Sequence, residues 1–354
     1  MLSIQDVINY YKDINPDKSE STYTTMKYNI IRLEKITEKD INDLSKKDFM
    51  NIKKIKEKIN NYALNTKIQT IMGIKLFIRF KEHNGEIQSD LLNSYNDVLK
   101  DYCNTSKEVI EKNEMTENEE KNWIDYLDLV DKFKQYYEYK FKPQLDETDV
   151  NDYGIYNFIR NFLLLAFYIE LPPTRIGNYQ YMKIRIKKKR SGSSLQKDNN
   201  YLMDNNDGSY ELVFNKYKTA KYLGQITHII KKDTILSDII KIYLVKRNTF
   251  ANSKKNTDLL LGKDKVAMSQ SNITDTLKYI SRKVVGKDLS VNLLRHIYIT
   301  HFITLNKSIE DKKKIANFMG QTYDATQMEK YNKLAKKIKQ KKDEQNDKCV
   351  VHFN

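Results

Sequence analysis

The stretch "VNLLRHIYITHF", residues 291–302, sets Arg295, His296 and His301 into an otherwise apolar segment. Two readings compete for it. Either the cations gather for chemistry, or they decorate a buried helix. An Arg-His pair on a helix arises often by chance, and His296 and His301 read as packing and hydrogen-bonding within the helix. The choice depends on whether distant parts of the chain supply a nucleophile and further cations.

The whole chain narrows the field. It has 354 residues, 40% of them hydrophobic, with a single Trp. It can therefore bury real cores, and its length suggests two or three domains. Its 62 Lys plus Arg give a formal charge of +15 and are spread along the whole length. That distribution favours a polyanionic partner, and the 25 Tyr among the lysines suit a surface where cations neutralise phosphates and planar rings cover bases. An AT-rich genome enriches Lys, Asn, Ile and Tyr as well, so composition alone leaves both explanations open.

Cys103 and Cys349 lie far apart, with no CxxC and no Cys/His ligand spacing. Neither a disulfide framework nor a zinc site is indicated, and a reducing compartment fits. The first residues carry charges where a signal peptide would carry an apolar core, and no run approaches the ~20 apolar residues of a membrane span. The longest apolar stretch, "FLLLAFYIELPP", reads as a buried helix that ends at its prolines.

Periodicity and punctuation give a mainly α fold with a small antiparallel β-sheet. Residues 1–90 read as four helices, "SIQDVINYYKDI", "SESTYTTMKYNIIRLEKI", "DINDLSKKDFMNIKKIKEKI" and "ALNTKIQTIMGIKLFIRFKEH", forming a small basic domain. Residues 91–145 read as a charged helical connector, with the functional boundary somewhere between 85 and 145. The second domain spans 146–337, and a basic tail covers 338–354. Within that domain a long apolar helix, Tyr153 to Glu170, leads to "LPPTRIGNYQYMKIRIKKKR", whose last eight residues alternate like a strand. "YELVFNKYKTAKYLGQITHII" reads as two strands joined by a lysine-rich turn. The chain then returns to helices at 233–247, 271–285, the opening stretch, 311–320 and 325–342.

Four segments of this second domain fall in a telling order. "LPPTRIGNYQYMKI" places Arg175 at the end of the apolar helix. "FNKYKTAKYLG" places Lys218 in the strand-joining turn, with Lys216 and Lys221 as near rivals. "LLRHIYITHF" carries Arg295. "IANFMGQTYDATQMEKYNK" puts Gly320 in a turn and Tyr331 on the helix after it. Together they resemble the catalytic domain of the tyrosine recombinases and phage-type integrases, whose signature runs Arg, a hairpin Lys, His-x-x-Arg, His or Trp, then Tyr. The helical first domain looks like the family's core-binding module, so the resemblance spans nearly the whole chain. Two positions depart from the pattern. Asn292 stands where the first His is usual, and Gln321 stands where the family carries His or Trp. The interval from Gln321 to Tyr331 is also one residue longer than usual.

The resemblance implies a DNA strand-transferase that cuts and rejoins DNA through a covalent 3′-phosphotyrosyl link to Tyr331. Arg175 and Arg295 would clamp the non-bridging oxygens, because guanidinium forks match the charge that builds there. Lys218 would protonate the 5′-hydroxyl leaving group. Asn292 and Gln321 can donate hydrogen bonds but cannot exchange a proton near neutrality. No cofactor or metal is implied. The implied partners are double-stranded DNA and further copies of the chain, as a homo-tetramer on paired DNA sites, with no membrane. The work would be intracellular, where DNA is accessible, and the source a mobile element or virus. Two other functions stay open: a type IB topoisomerase, and a DNA-binding protein that keeps the fold without activity. Residue by residue there are plain structural alternatives. Arg175 can cap a helix end, Lys218 can sit in a solvated turn, and Tyr331 can be a half-buried aromatic. Their joint order favours chemistry.

Overall fold

Polar caps punctuate the first part of the chain. Helix α1 (Ile4–Ile14) opens with a capping box: Ser3 Oγ accepts from Asp6 N at 3.3 Å, and the Asp6 carboxylate accepts from Ser3 N at 2.7 Å. Helix α2 (Glu20–Thr37) is capped in the same region of backbone by Ser19. The computed structural model describes residues 2–85, 90–112, 114–145, 152–187, 195–253, 255–305 and 308–321. The chain divides into two compact units, 1–112 and 113–354.

The first unit departs from the four-helix expectation at 40–59, where one helix becomes three short pieces. These are a 3-10 turn, Ile41–Asp43, then α3 (Lys46–Met50) and α4 (Ile52–Lys58). Asp40, Ser45 and Asn51 each start a new piece. Asn51 Oδ1, for example, accepts from Lys54 N at 3.0 Å. Short polar side chains compete with the helix for backbone donors, so each restarts the chain instead of continuing it. Helices α5 (Leu64–His83) and α6 (Asp90–Lys112) complete the unit. α2 passes close to Gly73 of α5: a Cβ there would lie 2.9 Å from the Asn29 carbonyl oxygen. Ile30, Leu33, Ile74 and Phe77 are fully buried in this core.

The stretch 91–145, set off as a connector by its charge, is shared between the units. Leu91, Tyr95 and Val98 of α6 seat in the first core, and the Tyr95 hydroxyl donates to Phe49 O at 2.9 Å. Leu129, Phe133 and Phe141 belong to the second core. Apolar stripes on otherwise charged helices decide the division.

The second unit starts with α7 (Glu117–Asn122), α8 (Tyr126–Tyr136), a π-helical stretch Tyr137–Phe141, and α9 (Lys142–Gln144). Its centre is α10 (Asp152–Ile169), the apolar helix expected from the sequence. Phe162 of α10 stacks with Phe133, Tyr136 and Phe141, at ring-centroid distances of 5.0, 5.7 and 4.4 Å.

Four strands follow: β1 (Lys183–Ile186), β2 (Tyr201–Asp204), β3 (Tyr210–Phe214) and β4 (Ile226–Ile230), in the order β1-β2-β3-β4. β2, β3 and β4 are antiparallel, with Leu202 opposite Leu212 and Leu212 opposite His228. β1 pairs with β2 in parallel, Lys183 opposite Tyr201. The sheet is therefore mixed, not antiparallel throughout. The link from Ile186 to Tyr201 is long enough for the crossover that a parallel pair requires, whereas the tight β2–β3 link returns as a hairpin. On its other side β1 is bonded to the 257–259 segment: Ile184 N donates to Thr257 O at 2.7 Å, and Leu259 N to Met182 O at 2.6 Å. The strand expected through residue 190 is described over β1, while 188–190 lie outside the described residues.

The β3–β4 link holds a short helix, α11 (Ala220–Leu223). Helices α12 (Ile235–Ala251), α13 (Gln270–Val285), α14 (Val291–Thr304) and α15 (Ile309–Phe318) finish the described chain. α12 and α13 pack on α10. The helix expected at 325–342 and the basic tail lie outside the described residues. Among the described residues, no helix is long and apolar enough to cross a membrane.

Candidate functional site

The site is built at the C-terminal end of α15. Gly320, at φ +65°, is the left-handed residue of a Schellman ending: Gly320 N donates to Asn317 O at 2.9 Å, and Gln321 N to Ala316 O at 2.8 Å. This closure turns the carbonyls of Met319 and Gly320 away from the helix, where side chains can reach them.

Two arginines do so. α10 ends at Ile169, and the prolines at 172 and 173 prevent its continuation. Arg175 then lies in extended backbone, φ −76° and ψ 149°, capping the 3-10 turn Ile176–Asn178. Its half-buried side chain donates from Nη1 to Gly320 O at 2.9 Å. Arg295 sits one turn into α14, whose N-cap Ser290 accepts from Leu293 N at 3.2 Å. It is 2% exposed and donates from Nη1 to Pro173 O at 2.8 Å and Met319 O at 3.4 Å. The partial negative charge of a helix C-terminus offsets the repulsion between two guanidinium groups brought so close.

The lysine turn meets the same carbonyl. Thr219 Oγ1 donates to Gly320 O at 2.7 Å. The Tyr217 hydroxyl donates to Gly224 O at 2.7 Å, which ties the two ends of the turn together. Lys216, Lys218 and Lys221 are all exposed on it, and Lys221 Nζ lies 4.7 Å from the Tyr222 ring centre.

The other candidates divide. Gln321 is buried beside the helix ending it helps to close. Asn292 is exposed on the first turn of α14, one turn before Arg295. Tyr331, the candidate nucleophile, lies outside the described residues, as does Tyr323. His296 Nε2 is 3.8 Å from Glu119 Oε1, and the His301 ring stacks on Tyr126 with centroids 4.8 Å apart. Burial lowers the pKa of His301. Both histidines thus face the α7–α8 segment, outside the helix that carries them. Among the described residues, no three His, Cys, Asp or Glu side chains converge as a metal site would require.

Sequence reading gave no role to Thr219 or to Asn200. Thr219 was within reach, because it directly follows Lys218 in the sequence. Asn200 lies in a polar run of the sequence, yet its side chain is bonded to both the lysine turn and the Arg175 segment.

No protein-family model matches the chain, and no curated protein sequence does. Among solved structures, the chain is similar to the XerH site-specific recombinase bound to its difH substrate in a pre-cleavage complex. That likeness has a TM-score of 0.55 at 12% identity and covers 93% of this chain and 82% of that one. The XerA recombinase (TM-score 0.36, 13% identity, 97% of each chain) superposes less well. So does a lambda integrase dimer bound to a core site (TM-score 0.48, 11% identity, 94% of this chain and 95% of that one).

Proposed function

We propose that this chain, which has the tyrosine-recombinase fold, is a site-specific recombinase that cuts and rejoins double-stranded DNA through a 3′-phosphotyrosyl intermediate. One observation carries the reading: Arg175, Arg295 and the lysine turn, far apart in sequence, meet at the Met319 and Gly320 carbonyls. Tyr331 follows in the same stretch of chain. In this scheme Arg175 and Arg295 hold the two non-bridging oxygens of one phosphate, where negative charge grows as the phosphorus becomes five-coordinate. The Tyr331 phenol gives its proton to solvent as its oxygen bonds to phosphorus. The bond from phosphorus to the 5′ oxygen breaks, and Lys218 gives that oxygen a proton. Rejoining reverses these steps. Gln321 and Asn292 contribute hydrogen bonds to the phosphate without transferring protons. The charge of +15 neutralises the flanking phosphates. Exchange between two DNA sites requires paired copies of the chain, which makes a tetramer the working assembly.

Covalent trapping tests this. On a nicked suicide duplex the unmodified protein should become linked to DNA, with the link mapped to Tyr331. Tyr331→Phe should abolish the adduct while sparing folding and duplex binding, and Tyr323→Phe should leave the adduct largely intact. Asn292 and Gln321, in place of proton-exchanging residues, support a second reading in which the fold binds DNA without cutting it. Absence of any adduct on correctly sited DNA would decide for that reading.

A further inference from the structure

Asn200 is 4% exposed and uses its whole amide. Oδ1 accepts from the backbone N–H groups of Asn215 at 2.9 Å and Lys216 at 2.8 Å. Nδ2 donates to the carbonyls of Asn178 at 2.8 Å and Lys216 at 3.0 Å. A primary amide offers two N–H donors and one acceptor oxygen with two lone pairs. All are engaged, and every partner is backbone. Its own carbonyl accepts from Lys183 N of β1 at 2.8 Å, which fixes Asn200 to the sheet.

The partners matter. Asn178 closes the turn that Arg175 caps, with Asn178 N donating to Arg175 O at 2.9 Å. Asn215 and Lys216 open the turn that carries Lys218. Asn200 is thus a strut between the arginine segment and the lysine turn. On the far side, Gln225 Nε2 donates to Asn215 Oδ1 at 2.6 Å, and Asn215 Nδ2 to Asn199 O at 2.9 Å. Lys218 is an exposed side chain on a long stem, so where it can deliver a proton depends on where the backbone beneath it is held.

We infer that Asn200 is a positioning residue for proton delivery: it holds the turn carrying Lys218 in register with Arg175, so that the lysine meets the leaving 5′ oxygen of the phosphate the arginine grips. The inference rests on the phosphotyrosyl reading and on Lys218 as proton donor. During cleavage the Nζ–H bond breaks as the bond between phosphorus and the 5′ oxygen breaks, and the proton passes to that oxygen. Neither Asn200 nor its partners change their bonding.

The test compares two suicide duplexes, one with the ordinary bridging 5′ oxygen and one with sulfur in its place. Sulfur leaves as a thiolate, stable near neutral pH, and needs no proton. Asn200→Asp keeps the acceptors and the shape, but removes both donors and sets a carboxylate against two carbonyls. It should slow adduct formation on the oxygen duplex by roughly a hundred-fold, the scale of a small misplacement of a catalytic group. On the sulfur duplex it should approach the unmodified protein. Lys218→Ala should show the same pattern. Gln225→Leu loosens the turn from its exposed side and should show a weaker version, which keeps the test alive if Asn200→Asp does not fold. Equal slowing of Asn200→Asp on both duplexes would make Asn200 an ordinary structural residue and overturn the inference. So would a Gln225→Leu variant with no selective loss on oxygen. If sulfur fails to rescue Lys218→Ala, Lys218 is not the donor and the inference falls, while the cleavage reading stands. If the unmodified protein forms no adduct on either duplex, both fall together.

Discussion

Replacing Gly320 with alanine puts a number on how tightly the site depends on one helix ending. At φ +65° an L-residue costs about 1–2 kcal/mol. The added Cβ would also lie 3.2 Å from Tyr217 Cδ2, on a ring whose hydroxyl is bonded to Gly224 O at 2.7 Å and so cannot simply swing aside. Relieving that contact adds about 1 kcal/mol. The sum, about 2–3 kcal/mol, should lower the melting temperature by roughly 5–10 °C in a unit of this size. Strain and site geometry are separated by Gly286→Ala. That glycine ends α13 at φ +77° and has nothing within 4 Å of its would-be Cβ, so its replacement carries the backbone cost alone. At a temperature where both variants are fully folded, Gly320→Ala should form the covalent adduct about a hundred-fold more slowly than Gly286→Ala. The reason is that the carbonyl shared by Arg175 and Thr219 has moved. If the two variants cleave alike once folded, the Gly320 carbonyl does not organise Arg175 and the lysine turn, and this site geometry is refuted.

Other outcomes follow from the same geometry. Duplex binding should weaken steeply with salt, log K falling by about 0.9 per log unit of salt for each phosphate neutralised; a flat salt titration would remove the nucleic-acid reading. Arg175→Lys keeps the charge but loses the planar fork, so cleavage should drop by about 10²–10³-fold while filter or gel-shift binding changes little. Equal losses in both would make Arg175 a docking residue. Burial lowers the pKa of His228, whose ring lies edge-on to Phe318 with centroids 4.4 Å apart. The unfolded chain therefore takes up this proton first. The His228 contribution to stability is fully present above about pH 6.5 and is lost as pH falls toward the depressed folded value. Denaturation of His228→Phe should show a shallower loss of stability below pH 6.5 than the unmodified chain, and identical pH profiles would contradict this.

The mainly helical architecture was legible because long amphipathic or apolar runs fix helices locally. α10 and α12–α15 stand close to where periodicity placed them. The three-way break at 40–59 was written in Asp40, Ser45 and Asn51, but capping residues also occur inside helices, and only the backbone geometry tells which of them start a new one. The parallel pairing of β1 was not legible, since register and direction depend on partners distant in sequence. At the site, Arg175 and Arg295 stood out through the order of their motifs. Asn200 could not, because a side chain that works entirely through backbone groups leaves no pattern of residue types around it.

The 257–259 segment gives β1 a neighbour on its outer side, with Lys183 Nζ and Asp258 Oδ1 paired at 2.6 Å. An open strand rim invites a foreign strand to add to the sheet, which is a common route to unwanted aggregation. Here the rim's hydrogen-bonding groups at Ile184 and Met182 are already spent within the chain. This side of the sheet is thereby closed to an added strand, and any self-association is steered toward other surfaces.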